Sequence, residues 1–523
     1  MPFSAATPLN PAYFLDRAAK IFSERIAIID GERRFTYREF GERSHKLAGL
    51  LRGAGAKHGD RIAALCSNSH VMLELHNGVP MAGCALVPMN VRLSPLELAY
   101  ILENSGARIL IATHEFAQTA RALSTSTGVL VIVAGTSAGD QSSEYEMLLR
   151  SSEPLPTQLM DEMSLLAINY TSGSTGRPKG VMYTHRGAYL QALAMAFHSQ
   201  LGLGSSYLWT LPMFHCNGWC FTWAVTAAGA MHVCQRQIDP AAIWEALCTG
   251  SVTHLCAAPT VLTMIAEAAA SCGSGGEKLQ HSVRAFTGGA PPTPALLSRL
   301  AALNLQVTHL YGLTETYGPS VINDWQPEWS SKSESEQAKL NARQGVGNVV
   351  TRDISVIDAS GAEAPSDGLT LGEIAIRGNN VTVGYYGDEE ATRAAECNGW
   401  FRTGDLGVRF PDGYIELRDR AKDIIITGGE NVASVEIEKA LAEHPAVLEA
   451  VVVGRPDERW GEIPVAFVVL RQGMPASKEE LIEFVCGRIA RFKAPREIYF
   501  EDLPKTSTGK IQKYILRRRF SGE

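Results

Sequence analysis

Residues 170–185 read YTSGSTGRPKGVMYTH, a stretch suited to holding phosphate. Thr171, Ser172, Ser174 and Thr175 carry hydroxyls, and Gly173 and Gly176 let the backbone approach a ligand closely. Lys179 adds a mobile point charge. A Walker A loop, GxxxxGK(S/T), sets its lysine directly after a glycine that opens a helix. Here Pro178 takes that glycine's place and has no N–H to give a phosphate, which excludes the kinase-type cradle. INY before the loop and GVMYTH after it both read as apolar strands, so the loop is expected to be a hairpin turn rather than a linker.

Further chemistry-bearing groups follow along the chain. LPMFHCNGW (211–219) holds His215 beside Phe214; a histidine in such an apolar run is, taken alone, a packed core residue. TGGAPP (287–292), with Gly289, Ala290 and Pro291, is by itself a tight turn. YGLTET (311–316) is more specific. Tyr311 offers a flat face for a base, Thr314 a donor for phosphate, and Glu315 a hard oxygen suited to Mg²⁺ bridging phosphates. GWFRTGDLG (399–407) places Asp405 just past a strand, where a carboxylate can accept ribose hydroxyls. PKTSTGKIQK (504–513) carries Lys510 on a turn made by Thr506, Ser507, Thr508 and Gly509. Lys513, Arg517, Arg518 and Arg519 come next, either a solvated basic tail or a contact for anionic groups. No Ser/His/Asp arrangement offers a nucleophile.

These groups need a frame. Strand-like RIAALCS (61–67), ARILIAT (107–113), GVLVIVAG (128–135) and VTHLCAAP (252–259) alternate with helix-like LELAYILENSG (96–106) and VLTMIAEAAA (261–270). VRAFTGGAPP runs from a strand into a turn, and TPALLSRLAAL follows as a helix. Such alternation predicts α/β layers with largely parallel sheets. WSSKSESEQAKLNARQG (329–345) is polar and is expected to be an exposed loop. GEIAIRG, TVGYYG, GWFRTGD and GYIELRDR then read as hairpins of a small β-barrel-like subdomain. The last hundred residues restart a compact α+β pattern: VEIEKALAEHP and KEELIEFVCGRIA as helices, VLEAVVVGRPD and PVAFVVLRQG as strands. The expected division is a large N-terminal domain over 1–421 and a small, mobile C-terminal α+β domain over 422–523.

The 523 residues exceed one ordinary domain, at about 150 residues per domain. A net charge of −7 gives no overall bias toward nucleic acid or anionic membrane. The ten cysteines form no CxxC pair, and Cys216 and Cys220 lack a second pair to complete a zinc site. Reduced thiols, no apolar run near the ~20 residues that span a bilayer, no secretory signal at the start and no peroxisomal tripeptide at the end lead to the expectation of a cytoplasmic protein without integral membrane segments.

YTSGSTGRPKG resembles the phosphate-loop signature of the adenylate-forming superfamily, which includes acyl-CoA synthetases, luciferases and peptide-synthetase adenylation domains. The likeness runs along essentially the whole chain, and YLWTLPMFHCNGWCFTW (207–223) is particularly similar to acetate/butyrate-type acyl-activating ligases. The resemblance implies roles. Phe214 and His215 would lie between acyl pocket and nucleotide, Gly289, Ala290 and Pro291 along the adenine, and Asp405 and Arg420 at the ribose. Asp419 replaces the glycine usual before that arginine. Lys422 falls at the hinge between domains, Gly428, Gly429 and Glu430 in the loop that approaches CoA, and Lys510 at the lysine used for adenylation only. Thr171 to Gly176 with Lys179 would grip the departing pyrophosphate, and Thr175 with Glu315 would hold Mg²⁺.

The implied reaction has two steps. A carboxylate attacks the α-phosphorus of ATP and pyrophosphate leaves; the thiol of CoA then attacks the acyl-adenylate and AMP leaves. Positioning and charge neutralisation are all that the first step asks of side chains. Ligases specific for acetate carry a Trp where this chain has Gly312, so an open pocket floor and acids longer than acetate are expected. The aliphatic match at 207–223 favours short- to medium-chain acids, whereas GGEN followed by SVEIE is also similar to aryl-CoA ligases. A free-standing domain loading a carrier protein, a luciferase and a non-catalytic nucleotide-binding protein are the rival classes; the last predicts loss of Lys510 or Glu315, and both are present. A homodimer is one assembly open to the chain.

Overall fold

The computed structural model describes residues 6–135, 143–171, 178–271, 278–289, 292, 294–341, 343–420, 423–427, 430–457, 460–505 and 511–520. Among them four sheets form. The first orders Leu130–Ala134, Ile109–Thr113, Arg61–Leu65, Ala85–Pro88, Leu165–Thr171 and Lys179–Thr184, all neighbours parallel except the last pair. Ile109–Thr113 is buried at every position, as a strand covered on both faces must be. Its helices begin at local signals: Ser94 and Glu97 close a capping box ahead of Pro95–Ser105, and Gly106 ends that helix at φ 63°.

The second sheet is parallel through its centre, from Ile26–Asp30 through Met231–Cys234, Ser206–Trp209, His254–Cys256 and Val283–Thr287 to Leu305–Leu313. Antiparallel strands close both edges, Arg33–Thr36 at one and Gly318–Ile322 with Val346–Gly347 at the other. The third sheet is antiparallel and curled: Thr351–Ile357, Gly372–Gly378 and Trp400–Arg409, with Glu396–Cys397 and Ile415–Arg420 both pairing the last. Its inner face, Ile354, Val356, Ile374, Ile376 and Ile415, shares a core with Tyr311 and Val321 of the second sheet. The fourth sheet, of Ile425–Thr427, Glu430–Val432, Val447–Asp457, Gly461–Leu470 and Glu497–Phe500, packs Ile425, Ile437, Leu441, Val452 and Ala466 into a core of C-terminal residues. Among the described residues no helix is long and apolar enough to cross a membrane.

The layered α/β architecture with a curled sheet and a C-terminal α+β unit is the one the pattern predicts. Two segments depart from it. Residues 329–345 are not simply an exposed loop. Pro327–Ser331 and Glu334–Asn341 are helical, and Trp329 and Leu340 are buried against Tyr414. The physical reason is local: Ser333 and Glu336 exchange capping hydrogen bonds, so a polar stretch starts a helix. TVGYYG (382–387) does not join the curled sheet. Tyr385 makes an isolated bridge to Val181 and the segment lies against the strand Lys179–Thr184 instead.

Candidate active site

The second sheet gathers several of the predicted groups at one end. His254 lies beside Tyr207 and Arg284, and Thr287 beside His309, in parallel register. The segments LPMFH, TGG and YGLTET therefore all sit at the carboxyl ends of neighbouring strands. In open α/β sheets that edge is where ligands bind. Gly288 sits close against it: a Cβ there would be 3.0 Å from Leu310 O and 3.2 Å from the Trp219 ring. Gly289 has φ 85°, and a Cβ built there would meet nothing within 4 Å.

Between LPMFH and the next helix the backbone turns left-handed. Cys216, Asn217, Gly218, Trp219 and Cys220 have φ between 51° and 62°. For residues with a Cβ this costs about 1–2 kcal/mol each, and such strain persists only where surroundings over-determine it. Gly218 is required there, because a Cβ would lie 2.5 Å from the Trp209 ring. The turn buries Trp219 against Gly288 and Gly318 and sets Cys216 Sγ 3.7 Å from His215 Nε2. Burial pushes the Cys216 thiol up to about 12, so it stays protonated and donates to Thr314 Oγ1 at 3.4 Å. His215 and Thr314, about a hundred residues apart in sequence, thus meet through one buried thiol.

Tyr183 and Tyr317 fix the YGLTET turn from below. Their rings stack at 3.9 Å, Tyr183 Oη donates to Thr314 O at 2.7 Å, and Tyr317 Oη accepts from Thr184 N at 2.6 Å. Glu315 follows in the short 3-10 turn Thr314–Thr316, and its Oε1 accepts from Tyr385 Oη at 2.9 Å. Lys179 Nζ lies 5.1 Å from the centre of the Tyr385 ring. Lys179 also stands opposite Thr171 in the antiparallel pair Leu165–Thr171 and Lys179–Thr184, the two flanks expected of a hairpin. Ser172, Gly173, Ser174, Thr175 and Gly176 lie outside the described residues, as do Ala290 and Pro291.

On the curled sheet Asp405 is 2% exposed and stands opposite Arg420 in the antiparallel register. Its Oδ2 accepts from Tyr311 Oη at 2.8 Å, which brings the base-stacking and ribose candidates together. Gly312 has a different meaning from the one its size suggests. A Cβ there would be 2.1 Å from Gly318 O and 2.9 Å from Pro319 Cα. Glycine at 312 is demanded by the close approach of two strands, so an open pocket floor does not follow from it. The Arg420 and Glu430 side chains, Lys422, Gly428, Gly429 and Lys510 lie outside the described residues; Lys505 and Ile511, which flank the Lys510 turn, form an antiparallel bridge.

The basic tail is partly paired within the C-terminal unit, while Arg518 and Arg519 stay exposed. Lys513 bonds Ser434 Oγ at 2.6 Å and Glu438 at 2.8 Å, Arg517 pairs with Asp423, and Arg519 with Glu501. Asp419, the residue standing where glycine is usual, is 1% exposed and accepts from Ser434 N at 2.5 Å and Ser434 Oγ at 2.7 Å. Sequence reasoning missed Tyr385, Trp219 and Asp419 as members of this assembly. The only signals were a tyrosine pair flanked by glycines, a tryptophan after the His215 motif, and the departure at 419.

Residues 15–386 match the model of the AMP-binding enzyme family, and residues 436–510 that of the AMP-binding enzyme C-terminal domain. The chain belongs to the AMP-binding enzyme family. It is 40% identical to an acetate–CoA ligase of Humulus lupulus across 99% of this chain and 96% of that one. It is 41% identical to a 4-hydroxybutyrate–CoA ligase of Metallosphaera sedula across 97% and 94%. Among solved structures, ATP-bound MatB from Rhodopseudomonas palustris superposes with a TM-score of 0.86 at 26% identity, covering 98% of this chain and 99% of that one.

Proposed function

We propose that this chain activates a short- or medium-chain carboxylic acid as its acyl-adenylate and passes the acyl group to CoA. The reaction class is acid–thiol ligation: the chain is an ATP-dependent, AMP-forming acid–CoA ligase. Its relatives carry that activity in their names over nearly their full length. The observation that carries the choice of acid is Trp219. Its indole fills the space beside Gly288 and Gly318, next to the His215 turn. Gly312 contributes no opening there, so the indole bounds the acyl site and limits chain length. Each methylene is worth only about 1–3 kcal/mol of selectivity, so neighbouring chain lengths react as well.

In the first step the acid's carboxylate oxygen bonds the α-phosphorus of ATP and the bond to pyrophosphate breaks. Tyr311 offers its face to the base, while Asp405 and Arg420 take the ribose. Lys179 and the hydroxyls of 171–175 neutralise the departing phosphates, and Lys510 the α-phosphate. In the second step the CoA sulfur bonds the acyl carbon, AMP leaves, and the thiol proton departs to solvent. Glu315 suits Mg²⁺: its carboxylate is a hard oxygen donor held from one side. Among the described residues no group of three or more His, Cys, Asp or Glu converges on a metal position. One carboxylate completed by phosphates and water is how Mg²⁺ is commonly bound. Bound there with Thr175, Mg²⁺ would neutralise charge on the phosphates. A cytoplasmic setting is part of the same proposal.

The test is a panel of C2–C10 aliphatic and benzoic acids with ATP and CoA, reading AMP and thioester. Thioester should peak among the shorter aliphatic acids, and Trp219→Ala should move the peak to longer ones. A peak on benzoate would make the chain an aryl ligase. AMP formed with no dependence on CoA would point to a carrier protein as acceptor.

A further inference from the structure

We propose that Tyr385 is a positioning residue that holds the Glu315 carboxylate and the Lys179 ammonium in fixed relation at the polyphosphate site. The inference rests on the reading of Glu315 and Lys179 given above. Tyr385 touches both: its hydroxyl donates to Glu315 Oε1 at 2.9 Å, and its ring centre lies 5.1 Å from Lys179 Nζ. The phenol is the donor of this bond, because a carboxylate can only accept. With Oε1 engaged by the phenol, Oε2 is left to a cation. The face of the Tyr385 ring attracts the Lys179 ammonium through its quadrupole.

The backbone around Tyr385 is stitched to both partners. Toward the Lys179 strand, Tyr386 N donates to Gly180 O at 2.7 Å, Met182 N to Gly384 O at 3.1 Å, and Thr382 Oγ1 to Met182 O at 2.9 Å. Toward the Glu315 turn, Thr382 N donates to Glu315 O at 2.7 Å. Thr392 Oγ1 accepts from Tyr385 N at 2.9 Å. Segment 382–386 is therefore a clasp across two separate motifs. A carboxylate oriented by such a partner keeps its ligand geometry, and losing the partner commonly weakens metal binding about tenfold.

Three variants separate the contributions: Tyr385→Phe, Tyr385→Leu and Glu315→Gln. Each is titrated calorimetrically with ATP in excess Mg²⁺ and in chelator, alongside KM for the acid and a thermal melt. Tyr385→Phe should weaken ATP binding about tenfold in Mg²⁺ and leave it unchanged in chelator. Tyr385→Leu, which also removes the ring, should weaken binding in both. The acid KM should not move in either. If Tyr385→Phe matches the parent in Mg²⁺ while Glu315→Gln is weak, the positioning role is wrong and the reading of Glu315 stands. If Glu315→Gln also matches the parent, Glu315 is not the cation's ligand and both statements fall. Equal losses with and without Mg²⁺ in Tyr385→Phe, tracking a lowered melt, would mark Tyr385 as merely structural and overturn the proposal.

Discussion

Tyr311 donates its hydroxyl to Asp405 Oδ2 at 2.8 Å, joining the last long strand of the parallel sheet to the longest strand of the curled one. Two sheets of different construction are thereby locked at the point proposed for base and ribose. The bond also orients Asp405 before any nucleotide arrives.

Tyr311→Phe keeps the ring and removes only that bond. A hydrogen bond to a charged group is worth about 1.5–3 kcal/mol, so KM for ATP should rise about tenfold or more. KM for the acid should stay within about twofold. Steady-state kinetics with each substrate varied in turn checks this, and an equal rise in both would refute it.

Gly312→Ala addresses the strand pair around Gly318. A Cβ placed 2.1 Å from Gly318 O must move backbone, and overpacking of this kind costs about 1–3 kcal/mol. The variant should melt several degrees lower and lose activity toward every acid in a C2–C10 series alike. A selective loss of only the longer acids would instead make position 312 a size filter.

Asp419→Asn weakens the link between the end of the curled sheet and the helix Ser434–Ala442, where Asp419 Oδ2 accepts two bonds from Ser434. About 1.5–3 kcal/mol of charge-assisted bonding is lost. Limited proteolysis between the curled sheet and the helix Ser434–Ala442 should be several-fold faster than in the parent, with little change in the melting of the two α/β sheets. An unaltered cleavage rate would show that the contact does not govern opening there.

Stability should plateau over mildly acidic pH because of a buried ion cluster far along the chain from these motifs. Asp30 Oδ2 accepts from His70 Nδ1 at 2.6 Å and from Arg236 at 2.7 Å, while Glu146 meets Arg43 at 2.8 Å and Arg33 at 3.4 Å. Burial works against all the charges, but the partners win: Asp30 and Glu146 are held below the usual carboxylate range and His70 above the usual imidazole value. The carboxylates' contribution is full above about pH 4 and is lost as pH falls through their depressed values. That of His70 is full below about pH 6.5 and is lost as pH rises through its raised value. Melting temperature should therefore fall at both ends. Asp30→Asn, which removes the carboxylate 2.6 Å from buried His70 and leaves it Glu146 at 3.9 Å, should lower the plateau and flatten the His70 limb. Thermal melts from pH 3 to 9 decide it.

The amino-acid sequence by itself determined the alternation of strands and helices, the hairpin flanks of Thr171 and Lys179, and the identity of the groups that could bind a nucleotide. Those properties are local: periodicity, caps, turn residues and short motifs act within a few positions. The polar stretch 329–345 was readable in principle through the Ser333–Glu336 capping box, yet composition alone concealed it. The remaining features were decided only in three dimensions. Tyr385 lies 70 residues from Glu315 and further still from Val181, and nothing in TVGYYG marks it as their clasp. The left-handed turn at Cys216–Cys220 is held against its own backbone preference by Trp209, Gly288 and Gly318, which come from other strands. Gly312 is the clearest instance: its small size suggested space, and the opposing Gly318 carbonyl, supplied by the antiparallel register, had already filled it.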